Sequence, residues 1–238
     1  METLFAPLGE LEEYDQLIRG IKKGEFPVQL IGCMDTQESH MIYGTGRDKR
    51  IRLVITHNEV RAKELVEDLK LYDHDVMYYP AKDFIFYSAD VHGQAIVKER
   101  LKVIKRLLEK EPLTVVTTLD GGMDYCLPFE RYQENRIHVA EEEILDLEQF
   151  KKNLIAIGYE NTGQVQKEGE FSVRGGIIDV FPLTEECPYR IELWGDEVDD
   201  IRRIDVESQR SVETVSEIEI YPATEIFLEE DRILEGMH

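Results

Sequence analysis

The run Gly169-Glu170-Phe171-Ser172-Val173-Arg174-Gly175-Gly176-Ile177-Ile178-Asp179-Val180-Phe181-Pro182, followed by Tyr189-Arg190-Ile191-Glu192-Leu193-Trp194-Gly195-Asp196-Glu197, organises the second half of the chain. Apolar residues alternate through Phe171 and Val173, a Gly-Gly pair interrupts them, and a β-branched run resumes until Pro182 stops it. This is the pattern of a tight antiparallel strand pair. Successive side chains on a strand point to opposite faces, so Phe171 and Val173 share one face while Ser172 and Arg174 share the other. The same alternation separates Ile191 and Leu193 from Arg190, Glu192 and Trp194. Two arginines, Arg174 and Arg190, therefore stand on the polar face.

Those cations are conspicuous because the chain around them is acidic. The 238 residues hold 50 Asp and Glu against 28 Lys and Arg, a formal net charge of −22. Residues 1–120 contribute 17 cations against 21 anions, and residues 121–238 contribute 11 against 29, so most of the charge sits in the second half. A body of that sign repels a phosphate backbone, and a protein partner is the better expectation for it. Hydrophobic residues make up 42% of the chain, enough for packed cores, and the length suits two ordinary domains. The three cysteines, Cys33, Cys126 and Cys187, are odd in number and contain no C-x-x-C, which points away from a disulfide framework or a zinc site and toward a reducing cytoplasm. No apolar run approaches membrane-spanning length, and the acidic amino terminus lacks the features of a signal peptide.

The first half alternates short apolar runs with helical patterns. Val28 to Ile31, Ile51 to Thr56, Val76 to Tyr79 and Leu113 to Thr118 suit buried parallel strands, and Asn58 to Leu71 and Gln94 to Glu109 carry helical periodicity. Asn58 is the expected N-cap of its helix. The predicted fold is α/β, an open parallel sheet of degenerate P-loop or helicase type, with a smaller inserted α+β domain. Residues 1–122 form the first part of the α/β domain, 123–210 the α+β domain, and 211–238 a truncated return to the first. The α+β domain is read from a strand over Arg136 to Val139, a helix from Asp146 to Ile157 closed by Gly158, the strands from Gly163 to Val206, and a further strand near Glu217 to Tyr221.

A phosphate cradle needs a strand, a Gly-rich turn, then Lys and Ser or Thr at a helix start. Here the first predicted strand runs into Gly32-Cys33-Met34-Asp35-Thr36-Gln37-Glu38-Ser39. Gly32 and Ser39 keep the ends of the pattern, but Gln37 replaces the second Gly and Glu38 the Lys. An anion in place of that cation opposes phosphate binding by several kcal/mol at about 4 Å and an effective dielectric near 20. An ordinary strand-to-helix connection accounts for the same residues. Gly44-Thr45-Gly46-Arg47 reads as a hairpin or loop signal.

Taken together, the Phe171 and Tyr189 stretches and Asp205-Val206-Glu207-Ser208-Gln209-Arg210-Ser211 resemble the amino-terminal region of bacterial transcription-repair coupling factors (Mfd), itself similar to the excinuclease subunit UvrB. Tyr79-Pro80-Ala81, Phe86-Tyr87, the helix containing Arg100 and the Gly158-Tyr159 step fit the same pattern. The defective loop and the lack of a long aromatic hairpin after Tyr79 favour the coupling factors over an active UvrB-like ATPase, which is the alternative. The resemblance implies a module that binds UvrA and brings excision repair to stalled RNA polymerase. It also implies no ATPase activity here and no cofactor, with ATP and Mg confined to motor domains outside these residues. RNA polymerase and DNA would be partners only of the full-length protein, whose other domains dock against this module and cover the UvrA surface.

On the family pattern, Arg174 and Arg190 match partner-binding arginines, with Gly175 between them and Phe171 and Phe181 supporting the surface from below. Pairing of each arginine with a local carboxylate is the competing reading. Glu160 departs from the pattern, since relatives place an arginine there. The aromatic run Tyr78 to Tyr87 has only Lys82 as a cation and reads as packing rather than as a base-stacking platform. The helix cations Lys98, Lys102, Lys105, Arg106 and Lys110 alternate with Glu99 and Glu109, which suits a solvated face better than a DNA contact. The histidines lack metal-ligand spacing, and Ser88, Asp90 and His92 do not make a triad by proximity in sequence.

Overall fold

The computed structural model describes residues 6–46, 51–82 and 92–226. In chain order the elements are α1 (Ala6–Gly9), α2 (Glu12–Lys23), α3 (Asp35–Gly46), β1 (Ile51–Thr56), α4 (Glu59–Lys70), β2 (Val76–Tyr79), α5 (His92–Leu108), β3 (Leu113–Thr118), α6 (Leu119–Met123) and α7 (Phe129–Glu134). They continue with β4 (Ile137–Ala140), α8 (Leu147–Ala156), β5 (Glu160–Asn161), β6 (Glu170–Arg174), β7 (Ile177–Val180), β8 (Tyr189–Trp194), β9 (Glu197–Ile204), β10 (Ser211–Thr214) and β11 (Glu217–Ile220). The described residues divide into two compact units, one of 6–46, 51–82 and 109–124, the other of 92–108 and 125–226.

In the first unit, β1, β3 and β2 form a parallel sheet in that order, with Ile51 opposite Leu113 and Val76 opposite Thr114. The side chain of Asn58 accepts from the Arg61 amide at 2.8 Å, so the predicted cap starts α4. Ala62, Leu65, Val66 and Leu69 of α4 then bury against Val76 and Val116. Tyr78 packs on this cluster, in keeping with the packing reading, and the Tyr79 carbonyl accepts from the Thr117 hydroxyl. The rest of that aromatic run, with Phe84, Phe86 and Tyr87, lies outside the described residues, as do Ser88 and Asp90.

Two sequence expectations fail in this unit. Val28 to Ile31 forms no strand: Ile31 is 85% exposed, and none of β1 to β3 pairs with the segment. Apolar composition alone does not make a strand, which requires a ladder partner for its amides and carbonyls. The sheet is therefore parallel and α/β, but the strand that would launch a phosphate loop is missing from it. Gly44, Thr45 and Gly46 are the last turn of α3 rather than a hairpin, and the Tyr14 hydroxyl donates to the Gly44 carbonyl at 3.0 Å.

The second unit holds a six-stranded sheet, β10-β9-β8-β7-β6-β5, antiparallel except at β5, and a two-stranded pair of β11 with β4. Its core joins Phe150 and Leu154 of α8 to Phe171, Ile178, Ile191 and Ile201 of the large sheet. Asp146 caps α8, accepting from the amides of Glu148 and Gln149, both at 3.0 Å.

The units also divide the chain differently from the sequence reading. β10 pairs with β9 and β11 with β4, so the segment read as a return to the first domain is built into the second unit. Helix α5, read as part of the first domain, also belongs there. Lys98 bonds Glu168 at 2.6 Å, Lys105 bonds Glu185, and the buried Arg100 Nε donates to Glu225 Oε1 at 2.6 Å. Arg100 and Glu225 are 0% and 4% exposed. Taking a charged acceptor from a buried guanidinium is costly, so Glu225→Ala is expected to destabilise the second unit by about 3–5 kcal/mol in urea unfolding, while Lys98→Ala at the half-buried pair costs about 1 kcal/mol or less.

Candidate protein-docking site

The β6–β7 connection fixes the geometry of the polar face. Gly175 occupies the left-handed region with φ 64°, and a Cβ on Gly176 would stand 2.9 Å from the Leu193 carbonyl oxygen, where β8 passes. Gly175 is thus the turn, and the two glycines allow β6, β7 and β8 to pack edge to edge. Phe171 lies in the core beneath the face, and Phe181, just past the end of β7, is buried.

Register then sets what meets on the opposite side. Ser172 faces Asp179, Asp179 faces Arg190, and Arg190 faces Arg202, in one row across four strands. Asp179 is 1% exposed and both its oxygens are bonded: Arg190 gives Nε to Oδ1 at 2.7 Å and Nη2 to Oδ2 at 3.0 Å, and Arg174 gives Nη2 to Oδ2 at 2.6 Å. Arg190 also donates to Gln209 Oε1 at 3.2 Å. That glutamine is presented by the turn 205–210, in which Asp205 Oδ1 accepts from the amide and the hydroxyl of Ser208 and Gln209 takes φ 57°. The Asp179 hydrogen bonds hold the Arg190 guanidinium above its ordinary pKa, against its partial burial. Each arginine therefore has a local carboxylate, yet they differ in exposure. Arg190 is 17% exposed and Arg174 45%.

Two apolar side chains complete the face. Ile177, opposite Arg174, is 38% exposed, and Trp194, two residues beyond Glu192 on β8, is 81% exposed. A tryptophan left that open at the end of a strand buries little of its own unit. Sequence alternation had placed Trp194 on this face without assigning it a role, and Asp179 and Gln209 were not identified at all. A signal for Asp179 existed, since an acid inside the run Ile177-Ile178-Asp179-Val180 is out of place unless it is paired.

The other candidates are arranged as follows. Gln37, Glu38 and Ser39 lie in the first turns of α3, after Gly32. Glu38 is half-exposed and accepts from Arg61 Nη2 of α4 at 2.6 Å, Gln37 Oε1 accepts from the Met34 amide at 3.2 Å, and Ser39 Oγ donates to the Thr36 carbonyl. Where a phosphate loop would present a lysine, this unit presents a glutamate tied to an arginine. Glu160 stands exposed on β5, the edge strand next to β6. Among the described residues no group of His, Cys, Asp and Glu is placed to hold a metal ion, the three cysteines are unpaired, and no helix is long and apolar enough to cross a membrane.

Residues 137–226 match the UvrB interaction domain family, a range that contains the whole polar face. The transcription-repair-coupling factor of Bacillus subtilis is 32% identical over 231 residues, covering 96% of this chain. Those of Staphylococcus haemolyticus and Staphylococcus aureus are 34% and 35% identical over 79% and 76% of it. The chain belongs to the transcription-repair-coupling factor family. It represents an amino-terminal Mfd region and spans a fifth of the length of the Bacillus subtilis relative.

Within this Mfd region, Tyr189 precedes Arg190 and is turned to the other side of β8, where its hydroxyl donates to Glu185 at 3.2 Å and accepts from Arg203 at 3.3 Å. Burial first, and the Glu185 charge second, push its pKa up to about 12. The neutral phenol is favoured by folding, so its contribution is complete below the unfolded value near 10 and is lost as pH rises toward 12. An alkaline titration at 295 nm is expected to show Tyr189 titrating together with Tyr78 at a midpoint about 2 units above free tyrosine, and Tyr189→Phe is expected to shrink that component by one phenol.

Proposed function

We propose that this chain is the UvrA-binding module of a transcription-repair coupling factor, bringing nucleotide excision repair to stalled RNA polymerase in the cytoplasm and carrying no ATPase activity of its own. The observation that carries the reading is the single face on which Trp194, Ile177 and Arg174 stand exposed, inside the segment that matches the UvrB interaction domain. An open aromatic on the same face as an ordered arginine has the residue types in which interface hot spots are enriched. Arg174 offers its outer edge to an acidic group of UvrA, Arg190 stands behind it with a smaller exposed surface, and Trp194 supplies the apolar anchor. Phe171 and Phe181 hold the sheet beneath them. Glu160, next to this face, removes a cation that other family members offer.

The absence of nucleotide chemistry is supported by Glu38, an anion held by Arg61 where a phosphate loop needs a lysine. The motor, with its ATP and Mg, the RNA polymerase contact and the DNA contact then belong to the remainder of the full-length protein. Arg174→Ala and Trp194→Ala are each expected to weaken UvrA binding by about 2 kcal/mol, roughly thirtyfold, with unchanged circular dichroism. Titration calorimetry of the variants against UvrA checks this, and wild-type affinity in both would reject the assignment. In a parallel titration, ATP is expected to give no saturable binding below millimolar concentrations, and tighter binding would favour an active UvrB-like ATPase.

A further inference from the structure

We infer that Asp179 is a positioning residue of the docking face: a buried carboxylate that orders the Arg174 and Arg190 guanidinium groups before UvrA arrives. The inference rests on the UvrA-binding reading above and adds to it the group that sets the geometry of the contact. Three observations carry it. Asp179 sits in the middle strand of the β6–β7–β8 ladder at 1% exposure, and it accepts three hydrogen bonds of 2.6, 2.7 and 3.0 Å that use both its oxygens. Arg190 engages it through the Nε and Nη2 edge, so the bidentate edge of that guanidinium points inward, and Gln209 pins the same Nη2 from the 205–210 turn. Arg174 gives Asp179 a single nitrogen, Nη2, and keeps the larger exposure.

The chemistry follows from this division. Two guanidinium groups share one carboxylate, and Arg174 carries the part of that pair that a partner can reach. An arginine free in solution samples many rotamers, and ordering it on binding costs affinity; one already tied to a fixed carboxylate has lost that freedom on folding. The guanidinium plane of Arg174 is thereby held for an acidic side chain on UvrA, and Arg190 keeps Asp179 itself in place. A competing role has the opposite sign. Were Asp179 only a rival for the arginines, its removal would free them and tighten binding.

The test is a double-mutant cycle on this chain, measuring UvrA affinity by calorimetry for wild type, Asp179→Asn, Arg174→Ala, the pair together, and Trp194→Ala. Asp179→Asn is expected to weaken binding at least tenfold. Combined with Arg174→Ala it is expected to add little to the loss that Arg174→Ala causes alone, because both changes remove the same ordered contact. A purely structural role for Asp179 would instead lower the melting temperature and add in full to the arginine loss. Unchanged or tighter binding by folded Asp179→Asn, while Arg174→Ala and Trp194→Ala bind weakly, overturns the inference and leaves the UvrA reading intact. Wild-type affinity in both Arg174→Ala and Trp194→Ala overturns the reading and the inference with it. Should Asp179→Asn fail to fold, Gln209→Ala carries the test, since it removes the second anchor of Arg190 without uncovering the carboxylate: an affinity loss of about threefold is expected, and unchanged affinity overturns the inference.

Discussion

A two-residue period that must serve a core on one side cannot choose what it exposes on the other. Along β6 to β9 the inward positions are taken by Phe171, Ile178, Val180, Ile191 and Ile201, all at or near zero exposure. The residues between them are forced onto the opposite face, and one of these is an aspartate in the middle of the ladder. A carboxylate at 1% exposure survives only with charged donors on both oxygens. Arg190 answers from directly across the strand pair and Arg174 from the diagonal position. The exposed edge of Arg174, the engagement of the Arg190 Nε and Nη2 edge by Asp179 and the bond from Arg190 to Gln209 of the 205–210 turn are consequences of where the hydrophobic residues had to go.

The same need for compensation explains the place of α5. The second half of the sequence is heavily acidic, and α5, which precedes it in the chain, holds Lys98, Arg100, Lys102, Lys105 and Arg106 against Glu99. Packed in the second unit, the helix meets Glu168, Glu185 and Glu225. Dividing the charge by position along the chain therefore overstated the acidity of the folded second unit. It also made the helix cations look available, whether to water or to DNA, when Lys98 and Lys105 are engaged by carboxylates of their own unit. Charge complementarity between segments distant in sequence is what a linear reading of composition leaves out.

Much of the architecture was legible because it rests on local periodicity. β1, β2 and β3 fall on the residues their apolar runs indicated, Asn58 caps α4, Asp146 caps α8, and the Gly175-Gly176 turn pairs β6 with β7. What escaped depended on partners far away in the chain. Val28 to Ile31 has strand composition and no ladder to join. Gly44 and Gly46 look like turn glycines and sit in a helix. On the polar face the arginines were visible as residue types, but their difference in exposure depends on Asp179 and Gln209, whose effect arises only through sheet register and a turn 19 residues beyond Arg190.

Between Gly32 and Ser39 the chain starts α3 with its own side chains taking up part of the helix N-terminus. A phosphate cradle depends on backbone amides left open toward the ligand and on a helix N-terminus whose dipole has no other anion to stabilise. Here the Met34 amide donates to the Gln37 side chain, and Asp35 and Glu38 place two carboxylates in the first turn of α3. Acids at that position stabilise the helix by roughly 0.3–1 kcal/mol each, and Glu38 gains further from Arg61 across to α4. Gln37 and Glu38 thus tether the start of α3, and Glu38→Lys would remove the tie to Arg61 while leaving the Met34 amide engaged by Gln37.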